Sequence, residues 1–263
     1  MNSFYIIFCL CYQINHSNRR GGGNAPRKKE RMVNAFMGYS ILLNHDRPDP
    51  EVIKGLGELS VPLIGDTLGR YGCLYSVIKP LSGAMRLAGP ALTVQTYRAD
   101  NLMLHVAIEL ANPGDILVVD ACGFPDTGLW GDLMTQMAKK KGIGGIVVDG
   151  GVRDNQAIVD SGFPVFARAI SPMGGFKVSP GSVNVPIACA GVSVNPGDVV
   201  VGDADGVVIV PRDSARAVLA AAHKTAEKEY EIAKRIQEGE TLFKILKLDE
   251  NLERLGLSLP KGR

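Results

Sequence analysis

A chain of 263 residues with 46% hydrophobic and 21% charged residues has an ordinary globular composition, enough for one large domain or two small ones. Its 29 Lys and Arg nearly balance 27 Asp and Glu, and the net charge of +2 leaves no footprint for nucleic acid or an anionic membrane. The five cysteines are odd in number and scattered, which argues against a disulfide framework or a zinc site and fits a reducing, cytoplasmic compartment.

Phe4 to Tyr12 is apolar but too short to span a bilayer, and no cationic start or small-residue cleavage site marks a secretory signal. Arg19 to Arg31 reads as a flexible basic linker. Residues 1–49 are therefore expected to form a disordered extension, with Met32 and Met37 as alternative starts. Val52, Ile53, Leu56 and Leu59 predict an amphipathic helix over Pro50–Ser60. Gly65 to Gly72 reads as a shorter helix capped near Asp66, with Asp66 and Arg70 placed for an i,i+4 ion pair. Gly89-Pro90 opens a strand, Ala91 to Tyr97.

Asp100 or Asn101 caps the next helix. Asn101 and His105 share one of its faces near the start, where free N–H groups favour anions; a satisfied polar contact is the plainer fate of such a His. Asn112-Pro113-Gly114-Asp115 is a turn that launches the strand Ile116–Asp120, and it recurs as Asn195-Pro196-Gly197-Asp198 before Val199–Asp203. Ala121 to Gly128 reads as a glycine- and proline-broken loop. Its Cys122 has no His nearby in sequence, so a small, at least half-buried thiol is expected rather than a nucleophile.

The next stretch organises the chain. Leu133, Met134, Met137 and Ala138 recur at helical spacing, Lys139 to Lys141 suit the helix C-terminus, and Gly142 stops it. Ile143 to Val148 is a strand buried on both faces, ended by a turn at Asp149-Gly150-Gly151. The helix carries the chain one way and the strand carries it back, so Asp132 and the pair Arg153-Asp154 can meet. Two carboxylates at one edge can hold a hard divalent cation through oxygen. An adjacent guanidinium can grip a carboxylate or a developing oxyanion, and the free N–H groups of Leu133 and Met134 add an anion cradle. Taken singly, Asp132 is also readable as a helix cap and Arg153-Asp154 as a surface turn.

Beyond this unit, Asn155–Ser161 reads as a helix, Phe163–Ala167 as a strand and Ile170–Ser182 as a loop matching no phosphate-binding pattern. Val183–Val194, Asp198–Gly202 and Val207–Val210 read as strands, the last two joined by a turn at Asp205-Gly206. No Gly-x-Gly-x-x-Gly follows a strand, which counts against a dinucleotide or methyl-donor fold. A long helix is expected from about Asp213 to Glu238, with Glu229 in an apolar stripe that includes Val218, Ala222, Ala226 and Ala233. There Glu229 is a mispacked surface residue or pairs locally with a lysine, or it reaches a cation, even one in a neighbouring subunit. The tail from Leu242 to Leu255 is too apolar for a free end and is expected to dock on the body or on a partner.

The spacing of Asp132 and Arg153-Asp154 resembles the signature of the class II pyruvate aldolases, typified by 4-hydroxy-4-methyl-2-oxoglutarate/4-carboxy-4-hydroxy-2-oxoadipate aldolase, within the wider RraA-like family. The resemblance runs from about Gly65 to Leu257 and includes Ala99 to His105, Asn112 to Asp115, Gly128 to Leu133, Gly181 to Ile187 and Asp205 to Val208. It implies a layered β/β/α swivelling α/β domain over residues 50–211, with a C-terminal helical arm over 212–263. It also implies cleavage of 4-hydroxy-2-oxo acids to pyruvate and a second keto acid, with oxaloacetate decarboxylation as a side activity. The implied cofactor is Mg²⁺ or Mn²⁺, bound by Asp154 directly and by Asp132 and Glu229 through water. Arg153 would neutralise the keto oxygen, Leu133 and Met134 amides would hold the carboxylate, and Asn101 and His105 would line the pocket. Glu229 falls where the family places an acid donated across a subunit boundary, in a trimer or hexamer. The rival reading is a non-catalytic RraA-like regulator of a ribonuclease; such regulators typically lack the paired acids present here.

Overall fold

The computed structural model describes residues 31–33, 38–43 and 46–259. The extension expected over residues 1–49 therefore lies largely outside the described residues. Inside that span, β1 (Arg31–Val33) pairs antiparallel with β2 (Ser40–Leu42), and Ile41 of β2 pairs with Val183. Sheet structure thus begins ahead of Pro50.

α1 (Pro50–Gly57) starts where Asp49 accepts the Glu51 N–H, with Pro50 in the first turn, where its missing donor costs nothing. α2 (Val61–Thr67) starts earlier than its glycines suggested, because Ser60 caps it by accepting the Leu63 N–H. It ends at Thr67, and Gly69 and Arg70 then take positive φ. Asp66 and Arg70 share no helical face, so the expected i,i+4 pairing has no helix to act through. Arg70 instead closes the turn by donating its N–H to the Gly65 carbonyl at 2.7 Å.

The central layer follows as β3 (Lys79–Pro80), β4 (Leu87–Gln95), α3 (Leu102–Leu110), β5 (Ile116–Trp130), α4 (Asp132–Lys140), β6 (Gly145–Val152), α5 (Asn155–Ser161) and β7 (Val165–Ile170). Parallel pairing joins β4 to β5, β5 to β6 and β6 to β7. Ile116 to Val119 and Ile146 to Val148 are fully buried, as continuous apolar runs in a covered parallel sheet should be. β4 starts four residues ahead of the expected Ala91, since Leu87–Pro90 pairs antiparallel with a later strand while Ala91–Gln95 pairs with β5.

Two stretches read as breaks are strand instead. The expected loop Ala121–Gly128 lies within β5, which stays paired to β6 through three register shifts. The expected turn at Asp149–Gly151 lies within β6. Gly151 is what permits this: a Cβ there would stand 2.5 Å from the Pro125 carbonyl oxygen and 2.6 Å from that of Thr127. The bulged strand can lie this close only against a residue without a side chain.

β8 (Ser182–Val183), β9 (Ile187–Cys189), β10 (Val192–Val194), β11 (Val199–Asp203) and β12 (Gly206–Val210) complete the strands. The single strand expected over Val183–Val194 is three pieces, broken where Asn184, Ala190 and Gly191 adopt positive φ. The expected β11–β12 hairpin forms one residue earlier, with Asp203 paired to Gly206 around Ala204-Asp205, and β11 lies on β4. The repeated turn is one device used twice: Asp115 accepts the Asn112 N–H and Asp198 accepts the Asn195 N–H, each at 2.8 Å.

After a 3₁₀ turn at Arg212–Ser214 comes α6 (Ala215–Gln237), matching the expected long helix. Its first half packs against α1 and α2, and Val218 joins Val52, Leu56, Ile64, Val199 and Val210 in a second apolar core. Past Thr225, whose hydroxyl lies 3.4 Å from that of Thr67, the helix faces outward. α7 (Leu242–Ile245) packs on α6 and is followed by α8 (Leu248–Arg254), while Leu242, Leu246 and Leu255 of the tail remain exposed. The whole is a mixed α/β sheet fold with a long C-terminal helix.

Candidate active site

β5 ends at Trp130 and β6 at Val152, and the last residues of both strands pair side by side. Arg153 donates its N–H to the Trp130 carbonyl at 2.8 Å, which fixes the start of the chain leaving β6 against the start of the chain leaving β5. Gly131 is the N-cap of α4, so Asp132 is its first residue rather than its cap. The Asp132 N–H donates to Asp154 Oδ2 at 3.0 Å, and the Arg153 Nε lies 3.7 Å from the same oxygen. Asp132, Arg153 and Asp154 therefore meet at one edge of the sheet. Gly131 makes the contact possible, since a Cβ there would stand 2.6 Å from Asp154 Oδ2.

Asp154 is held in the left-handed region, φ 59° and ψ 37°, a conformation that Asp tolerates better than most residues with a side chain. Its side chain caps nothing in α5, and it and Arg153 are each close to half exposed, 43% and 45%. The other acid, Asp132, is half-buried and accepts from Gln136 Nε2 at 2.8 Å. The N–H groups of Leu133 and Met134 fall in the first turn of α4, where the helix supplies no acceptor. Leu133 is exposed and Met134 buried.

Asn101 and His105 come to the same neighbourhood from α3. Asn101 is buried, and its Nδ2 donates to the Leu129 carbonyl at 2.9 Å and approaches Met134 Sδ at 3.8 Å. Its Oδ1 has no hydrogen-bond partner among the described residues. Burial and then the charge of Lys177 hold the His105 imidazole below its ordinary pKa, so it favours the neutral form. Between α3 and α4 a groove of about 410 Å³ runs past His105, Val106, Glu109, Leu133, Met134 and Met137.

Glu229 does not join this group. The apolar stripe of α6 is buried only in its first half, at Val218 and Ala222, because the helix leaves the body after Thr225; Glu229 is exposed rather than held in an apolar seam. Among the described residues no three His, Cys, Asp or Glu side chains gather closely enough to hold a metal ion. The three acids expected to share a cation are thus two neighbours and one distant residue within a single chain. Cys122 is exposed at φ 56° instead of half-buried, and desolvation followed by the nearby charge of Asp120 pushes its thiol pKa up, which disfavours a thiolate nucleophile.

The expected loop over Ile170–Ser182 is present, but its sequence did not reveal that Ser171 to Pro180 lies beside this site. The Asn101 N–H donates to the Phe176 carbonyl, and the Gly128 N–H to that of Met173. Asp100, fully buried, accepts from the N–H groups of Leu102, Val178 and Ser179. The loop is thereby tied to α3 and β5, Gly174 lies against the Arg153 guanidinium, and Lys177 is brought within electrostatic reach of His105. The only sequence signal was an aspartate before a helix, which reads equally well as an ordinary cap.

Residues 61–209 match the RraA-like family described as Aldolase/RraA. The chain is 44% identical over 161 residues to a Halalkalibacterium halodurans protein named "Putative 4-hydroxy-4-methyl-2-oxoglutarate aldolase", covering 61% of this chain and 77% of that one. Among solved structures it resembles an uncharacterized protein from Pseudomonas syringae, with a TM-score of 0.68 and 28% identity over 76% of this chain and 98% of the other. It also resembles Streptomyces coelicolor RraAS2, an unusual member of the RNase ES inhibitor RraA protein family, with a TM-score of 0.64 and 33% identity over 73% of this chain and 99% of that one.

Proposed function

This chain belongs to the RraA-like family, and we propose that it is a divalent-metal-dependent carbon–carbon lyase that cleaves 4-hydroxy-2-oxo acids to pyruvate and a second carbonyl compound. The observation that carries the reading is the meeting of Asp132, Arg153 and Asp154 at the open end of β5 and β6. The name of the Halalkalibacterium relative supports the same class, with 4-hydroxy-4-methyl-2-oxoglutarate as one member. We place the catalytic unit in residues 50–211 and the arm in 212–263.

The donor set fits a hard cation. Mg²⁺ and Mn²⁺ favour oxygen ligands, and Mg²⁺ keeps several waters and takes only one or two carboxylates from the protein. Asp154 would hold the ion directly, Asp132 through water, and Glu229 of a second copy would complete the set. Such an ion, when bound, supplies Lewis-acid polarisation of the 2-oxo group.

The remaining chemistry falls to the chain's own groups. The amides of Leu133 and Met134 receive the C1 carboxylate at the positive end of α4. Asn101 and His105 bound the pocket on the α3 side. Asp132 takes the proton of the 4-hydroxyl through a water as the C3–C4 bond breaks. The bonding pair moves into the C2–C3 bond, and the keto oxygen gains the charge of an enolate. Arg153 neutralises that oxygen with a guanidinium that cannot lose its proton. Protonation at C3 then gives pyruvate. Oxaloacetate would lose CO₂ by the same electron flow, since it too leaves pyruvate enolate.

Arg153→Lys tests this. Loss of one well-placed donor typically lowers the rate about 100- to 1000-fold, so kcat should fall by that order while KM changes far less. Near-normal turnover would remove Arg153 from the mechanism. The RraA-like regulators share the fold. A regulator would show neither pyruvate release nor dependence on Arg153.

A further inference from the structure

Arg153 needs one orientation to meet a developing charge, yet little in its charge environment fixes its side chain. Asp154 Oδ2 stands 3.7 Å from its Nε, beyond hydrogen-bond distance, and the side chain is 45% exposed. A long side chain paired so loosely keeps one orientation only if packing removes the others.

Packing does so through three glycines. A Cβ on Gly128 would stand 2.7 Å from Arg153 Cβ and 3.1 Å from its Cγ. One on Gly131 would stand 3.2 Å from Cγ and 3.3 Å from Nε, and one on Gly174 would stand 2.8 Å from Nη1. Stem and head thus lie against bare backbone at three successive levels. Gly128 and Gly131 are also needed elsewhere: a Cβ on the first would stand 2.7 Å from the Ser171 carbonyl oxygen, and one on the second 2.6 Å from Asp154 Oδ2. Gly174 differs. Among the described residues, and apart from its chain neighbours, the atoms its Cβ would meet are Arg153 Nη1 and, at 3.7 Å, Arg153 Cζ. Its φ is not in the left-handed region, so the backbone does not require a glycine there.

The loop Ser171–Pro180 brings Gly174 to this place and is tied down on both sides of it. Before Gly174, Ser171 donates its N–H to the Val152 carbonyl at 2.8 Å, and the Met173 carbonyl accepts the Gly128 N–H at 2.7 Å. After it, the Phe176 carbonyl accepts the Asn101 N–H and the Phe176 N–H donates to the Ala99 carbonyl, each at 2.8 Å. The N–H groups of Val178 and Ser179 then donate to the buried Asp100 carboxylate at 2.8 and 2.9 Å. When a loop tied this often is pressed against the end of a flexible side chain, the side chain is the partner that yields.

We propose that Gly174 is a positioning residue for Arg153: its bare Cα, held by the tied loop, sets the direction in which the guanidinium faces the keto oxygen. This rests on the lyase reading for what the guanidinium does there. A methyl group at position 174 would turn the guanidinium aside without touching the core. The charge would remain at the site and its direction would be lost. A misplacement of about 1 Å in such a group can cost about 100-fold in rate.

Gly174→Ala in the full chain, assayed with Mg²⁺ on 4-hydroxy-4-methyl-2-oxoglutarate, tests this. kcat should fall about 100-fold with KM changed far less, while the urea midpoint stays at the wild-type value. In an Arg153→Lys background the same substitution should cost less than about twofold further, since Nη1 is gone. ¹⁵N relaxation of the Arg153 Nε–Hε group, identified by its loss in Arg153→Lys, gives a readout that needs no turnover. Its order parameter should exceed about 0.6 in the wild-type chain and drop in Gly174→Ala. Wild-type turnover in Gly174→Ala, or an equal loss in both backgrounds, would overturn the inference and leave the lyase reading intact. An order parameter that is low in the wild-type chain, or unchanged by Gly174→Ala, would overturn it whatever the activity. No pyruvate from a wild-type chain whose Nε–Hε group behaves as expected would remove the lyase reading alone, with the positioning of Arg153 by Gly174 left standing.

Discussion

Asp100 shows how one side chain can organise a site it does not enter. Burial alone would raise its pKa, but the N–H groups of Val178, Leu102 and Ser179 outweigh that and hold the carboxyl below its ordinary value. Because the folded pKa lies below the unfolded one, the stabilisation is complete above the unfolded value and is lost as pH falls through the folded value. Asp100→Asn should therefore cost about 1–3 kcal/mol at neutral pH. It should also flatten the acid limb of stability, read by urea melts between pH 7 and pH 3. Parallel acid limbs for wild type and variant would show that Asp100 is not the linked group. At this scale the sequence was most informative where local structure forces a meeting: Asp132, Arg153 and Asp154 could be placed together from one helix and one strand. Lys177 could not, because its position depends on a loop some 75 residues later, whose N–H groups donate to Asp100 and whose Phe176 carbonyl accepts from the Asn101 N–H.

Among the elements, β5 and β6 carry the site, and their closeness depends on Gly151. A methyl group there meets two carbonyl oxygens of the bulged segment, so Gly151→Ala should destabilise by about 1–3 kcal/mol through overpacking, measured by denaturant unfolding. An unchanged midpoint would mean that β5 can move aside at no cost. The same pair explains why the strands were only partly legible. Gly123, Pro125 and Gly128 are the residues that ordinarily punctuate a chain, and in isolation they read as a loop. Pairing with β6 overrides that local preference, and the register shifts absorb the irregular residues. The buried runs of β5 and β6, the two Asn-Pro-Gly-Asp turns and α4 were readable because their signals are local. The start of α2 was not, because its capping residue, Ser60, lies five residues ahead of Gly65, the stronger local signal.

At the scale of the whole molecule, α6 leaves the body after Thr225 and carries Glu229 into solvent, with apolar residues of the tail exposed beyond it. On the proposed lyase reading, this arm belongs to a closed symmetric assembly in which the Glu229 of one copy would complete the site of the next. Inactive Asp154→Ala and inactive Glu229→Ala should then complement each other after dissociation and reassembly, because some interfaces pair an intact Asp154 with an intact Glu229. Activity no higher than the sum of the parents, with both variants correctly assembled, would place Glu229 in its own chain's site or in none. Among the described residues no helix is long and apolar enough to cross a membrane, so the exposed leucines of the tail do not amount to a spanning segment. Measuring pyruvate release from a 4-hydroxy-2-oxo acid by the wild-type chain, in chelator and then with Mg²⁺ or Mn²⁺ restored, tests the central claim most directly. Metal-dependent release that disappears in Asp154→Ala is the result expected. Full activity in chelator, or trapping of pyruvate on a lysine by borohydride, would contradict it.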